Sequence, residues 1–90
     1  MNESDAKAYI RNYLDIYDPL GMSAMGVLDQ LYDPVLEEVL ELIRRSQNAA
    51  EVAAGVHRIL FLSYGTAAGN VRDYAALGSD LFGLKTQIES

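Results

Sequence analysis

The chain has no cysteine and no tryptophan, one histidine, two prolines, and seven basic residues against thirteen acids. Without cysteine there can be no disulfide staple and no thiolate metal site. With His57 as the only histidine, multi-histidine metal centres and Cys–His nucleophile pairs are excluded as well. The shortage of bases leaves a net charge of −6 over 90 residues. That balance argues against nucleic acid as a direct ligand, since phosphate binding depends on a basic patch. Long hydrophobic runs are also missing. The run Ile59-Leu60-Phe61-Leu62 is about one helical turn, against roughly 20 residues for a bilayer span. The opening Met1-Asn2-Glu3-Ser4-Asp5 is acidic where a signal peptide is basic. The expectation is a cytoplasmic protein that does not associate with membranes.

What the chain does have is apolar residues, half of the total, including twelve leucines and eleven alanines. That is enough for one packed core and too much for a disordered chain. Ninety residues predict a single domain, 1–90.

Helical periodicity dominates. Ala6, Tyr9, Ile10, Tyr13, Leu14 and Tyr17 recur at the spacing of one helical face, predicting a helix from about Asp5 to Tyr17. Ser4 is placed to cap it, Arg11 to pair with Asp15, and Asp18-Pro19 to end it. Residues 18–33 are less regular. Met22, Met25, Val27, Leu28 and Leu31 predict a short helix at about 23–31, or a segment laid over the core.

The tripeptide Tyr17-Asp18-Pro19 recurs as Tyr32-Asp33-Pro34, but the two copies have different expected duties. The first ends a helix. The second starts one, with Asp33 as N-cap and Pro34 at the first helical position. That helix, about 34–46, sets Val35, Leu36, Val39, Leu40, Leu42 and Ile43 against Glu37, Glu41, Arg44 and Arg45, with Glu41 and Arg45 four apart.

Asn48-Ala49-Ala50-Glu51 has the form of a capping box and opens a third helix, which closes at Gly65 as an αL cap. Val52, Val56, Ile59, Leu60 and Ser63 form its expected inner stripe. Leu62 falls on the polar side with Glu51 and Arg58. From 70 onward the pattern predicts two short helices, 70–77 and 79–88, hinged at Gly78-Ser79, or one kinked helix. No strand-like alternation occurs, so the expected fold is all-α, a small bundle of four to five short helices.

No reaction chemistry is legible, and the chain reads as a non-enzyme without a cofactor. His57 falls on the flank of the third helix beside Phe61 and Tyr64, the position of a structural imidazole. Asp15 with Asp18, or Glu37 with Glu41, offer paired carboxylates for a hard cation, yet neither pair has calcium-loop spacing.

The stretch Tyr17-Asp18-Pro19-Leu20-Gly21-Met22 resembles a signature of the YugE-like family of small bacterial proteins. The later Tyr32-Asp33 pair, and Ala49-Ala50-Glu51-Val52-Ala53 leading to Tyr64-Gly65, are similar to that family too. The resemblance covers roughly residues 9–65, departs where Tyr17 stands for an expected tryptophan, and has no counterpart for the tail from Thr66. It implies a small helical bacterial protein with no assigned reaction.

Two readings of function follow, both of them binding. Seven acids and no base lie between Asp15 and Glu41, a surface that can steer a basic protein partner. Small acidic immunity proteins that cover nuclease-type toxins resemble this chain in size and charge. The alternative is a self-associating or adaptor module, a homodimer included, using the tyrosine face or Leu62. The expected partner-binding residues are Asp15, Asp18, Asp29, Glu37, Glu41, Met22, Met25 and Leu62.

Overall fold

The computed structural model describes residues 1–21 and 31–89. Among them are helices α1 (Glu3–Tyr17), α2 (Leu36–Arg45), α3 (Ala49–Tyr64), α4 (Ala75–Gly83) and the single-turn α5 (Lys85–Glu89), and no strand. Short 3₁₀ turns at Asp33–Val35, Gly65–Ala68 and Val71–Tyr74 join them. The fold is a small all-α bundle. In it α1 packs on α2 and α4, and α3 packs on the same two helices from the other side.

α1 begins two residues before the expected start. Asn2, in extended backbone, accepts the Asp5 amide at 2.7 Å, so Asn2 and not Ser4 is the cap. The helix ends where proline dictates. Asp18 turns into the left-handed region (φ 48°) and its amide returns to the Leu14 carbonyl at 2.8 Å. Only Ala6, Ile10 and Leu14 of the expected stripe are fully buried. Tyr13 is partly buried against the core, while Tyr9 and Tyr17 lie at the edge, and the Tyr17 hydroxyl donates to Asp80 of α4.

Two expectations at the start of α2 need correction. Asp33 is not an N-cap, because it already belongs to a 3₁₀ turn and its carboxylate accepts Arg11 Nε at 2.8 Å. That contact also takes Arg11 away from Asp15. A cross-helix carboxylate facing the guanidinium outcompetes a flexible neighbour on the same helix. Pro34 does sit in the first turn. Along α2, Val35, Leu36, Val39, Leu40, Leu42 and Ile43 are all buried, as periodicity predicts. Each such side chain removed from water contributes on the order of 1.5–3 kcal/mol. Glu41 pairs with Arg44 at 2.8 Å rather than with Arg45.

α3 opens with the capping box. Asn48 accepts the Glu51 amide at 2.9 Å, and Glu51 reaches back to the Gln47 amide at 2.7 Å. Gly65 ends the helix with φ 66°, which glycine tolerates, but its ψ of −139° lies outside the αL region expected. Val52, Ala53, Val56 and Leu60 are buried and Ile59 partly so, whereas Ser63 faces solvent.

The chain does not hinge at Gly78. A 3₁₀ turn runs straight into α4, and the break comes at Leu84. Gly78 is instead buried mid-helix where α4 crosses α3. It lacks a side chain because there is no room for one. The stretch 22–30, expected to be a short helix or covering segment, lies outside the described residues.

Candidate functional site

The outward face of α2 carries Glu37, Glu38 and Glu41. Helical spacing sets them side by side, and the buried stripe of α2 turns them to solvent. With Arg45 and Ile59 of α3 they line an open depression of about 260 Å³ between the two helices. The acidity there is partly compensated from within. Lys7 stands 4.0 Å from Glu37 and 3.4 Å from Glu3, and Arg44 holds Glu41. Such exposed pairs are each worth well under ~1 kcal/mol and leave the carboxylates accessible.

Leu62 stands one turn beyond Ile59 on α3, the i, i+3 spacing that makes the two neighbours. It is 74% exposed, the most exposed large hydrophobic side chain among the described residues. The structure therefore brings Glu37 and Glu41 together with Ile59, and Leu62 follows Ile59 one turn further along α3.

The other expected residues do not join it. Asp15 is exposed on α1. Asp18 is half-buried at the end of α1, its carboxylate 3.5 Å from the Tyr32 hydroxyl, which also accepts the Leu20 amide at 3.3 Å. The two repeated tripeptides thus meet, and Asp18 has a structural duty. Met22, Met25 and Asp29 lie outside the described residues.

Nothing in the geometry assembles reaction chemistry. His57 Nε2 donates to the Gly69 carbonyl at 2.8 Å, and its ring lies 5.2 Å from Tyr74 and 6.0 Å from Phe61. Tyr74 donates to the Ala68 carbonyl at 2.6 Å, so the two rings together clasp the 65–70 turn. Burial pushes the Tyr32 and Tyr74 hydroxyls up to about 12, the protonated form that both hydrogen bonds require. The Tyr17 hydroxyl is raised mainly by its bond to Asp80. Among the described residues no three His, Asp or Glu side chains converge to hold a metal ion, and no helix is long and apolar enough to cross a membrane.

Two features escaped the sequence. Phe61 is 47% exposed and Ile16 66% exposed, both of them large apolar side chains outside the expected inner stripes. A second depression, about 330 Å³, lies between α3 and the start of α4, lined by Ala49, Ala50, Ala53, Ala54, Val71 and Ala75, with Arg72 at its edge. Alanine carries no signal of exposure in a sequence pattern, so only the packed structure discloses this groove. Comparison with family models, curated proteins and solved structures finds no match to this chain.

Proposed function

We propose that this chain is a small protein-binding module that docks a partner on the α2–α3 shoulder. The observation that carries the reading is Leu62, three-quarters exposed one helical turn beyond Ile59, which itself lines a depression with Glu37, Glu38 and Glu41. An apolar centre rimmed by charge has the anatomy of a protein interface. Its complement is an apolar pocket bordered by lysine or arginine. A basic toxin domain, held by a cognate immunity protein, is the concrete form of such a partner.

The test is calorimetric titration against the product of the neighbouring gene. Leu62→Glu removes the centre, and Glu37→Lys with Glu41→Lys reverses the rim. Each is expected to weaken binding at least tenfold, while the circular-dichroism spectrum stays helical because all three residues are exposed. Lower salt should speed association with the unmodified protein and slow it for the charge-reversed protein. Affinity that survives all three substitutions together would overturn the proposal. If that gene product does not bind at all, the toxin–immunity form is wrong.

A further inference from the structure

α3 has a second shoulder, turned toward α4, whose surface is complementary to itself. Its N-terminal half is the largely apolar groove lined by Ala50, Ala54, Val71, Arg72 and Ala75. Its C-terminal half carries Phe61, half-exposed, with its ring tilted 34° to that of His57 at a centroid distance of 6.0 Å. Ala50, Ala54, His57 and Phe61 follow at intervals of four, three and four residues, the spacing of a helix–helix seam. One end of this stripe is a recess and the other a projection.

We infer that this shoulder is a homodimer interface, occupied by α3 of a second copy running antiparallel. A two-fold axis near residues 55 and 56 sets Phe61 of each copy over the alanine groove of the other, closing both recesses at once. The small side chains of Ala50 and Ala54 let the two backbones approach closely. Charge agrees with this orientation. Glu51 and Arg58 are both exposed on the outer side of α3, and antiparallel pairing brings the Glu51 carboxylate of one copy within reach of Arg58 of the other. Parallel pairing would set Arg58 against Arg58 and leave both grooves empty. Arg58 makes no ion pair among the described residues of its own copy. The interface centres on the Ala50–Phe61 stripe and not on Leu62, so the inference does not rest on the proposed function.

Sedimentation equilibrium of the 9.9 kDa chain tests it. The expected result is a concentration-dependent approach to twice that mass. Phe61→Glu and, independently, Ala54→Arg each raise the dimer dissociation constant at least tenfold. Leu62→Glu, off the stripe, has a smaller effect than either. Because the protein has no cysteine, Ala54→Cys adds a single thiol beside the axis, and mild oxidation should link two copies. A chain that stays monomeric to about 0.5 mM overturns the inference, as does a dimer indifferent to both Phe61→Glu and Ala54→Arg. The helical circular-dichroism spectrum of each variant separates loss of the interface from loss of the fold.

Discussion

A methyl group at Gly78 would stand 2.6 Å from the Ala53 Cβ and 2.7 Å from the Ala53 amide nitrogen. Helices α3 and α4 cross here, and the obstacle is the backbone of α3, which cannot swing aside as a long side chain can. Gly78→Ala should therefore destabilise the protein by about 2–4 kcal/mol, despite a gain in helix propensity of roughly 1 kcal/mol. Urea unfolding would show the drop. A variant as stable as the parent, or more so, would mean that the crossing is looser than these distances.

Alkali should unfold the protein through two tyrosines. The Tyr32 and Tyr74 hydroxyls ionise at about 12 in the fold against 10 in the unfolded chain. Between those values the unfolded state releases protons that the folded state keeps, so stability falls as pH rises. The contribution is fully present below pH 10 and gone above pH 12, on the order of 2–3 kcal/mol for each group. Absorbance at 295 nm should show Tyr32 and Tyr74 ionising near pH 12. In Tyr32→Phe and Tyr74→Phe combined, the steep loss of stability between pH 10 and 12 should flatten. Ionisation of Tyr32 and Tyr74 near pH 10 would count against buried hydroxyls.

Helix identity was legible because it is local. The Asn48–Glu51 box and the six buried positions of α2 depend on neighbours within a few residues, and both appear as the spacing predicts. What was illegible depends on residues far apart in the chain. Arg11 chooses Asp33 over Asp15 only once α1 and α2 lie side by side. Gly78 looks like a hinge until α3 is placed against it. The candidate site divides the same way. Leu62 was visible from its angle on α3, but the depression that joins Ile59 to Glu37 and Glu41 needed the packing of α3 on α2. Phe61 and the alanine groove had no sequence signal, since neither residue type declares which side of a helix a neighbouring element leaves open.

Lys85 reaches back to the end of α2, where its ammonium donates to the Arg44 carbonyl at 2.5 Å and more weakly to the Ile43 carbonyl at 3.4 Å. The last carbonyls of a helix have no amide partner within it and form the negative end of its dipole, so a cation there is doubly favoured. The side chain is only 22% exposed and also meets Glu89 at 3.1 Å within α5. Lys85→Met keeps most of the apolar stem and removes the charge. It should cost about 1–2 kcal/mol, mostly from the lost charge-assisted hydrogen bond to the end of α2. Part of that cost should fade in high salt, which screens the dipole interaction. Hydrogen exchange would report a selective effect: amides in the last turn of α2 and throughout α5 should lose protection first, while those at the α3–α4 crossing hold. Uniform loss across all helices would show that Lys85 acts on the whole bundle and not as the tie between α5 and the end of α2.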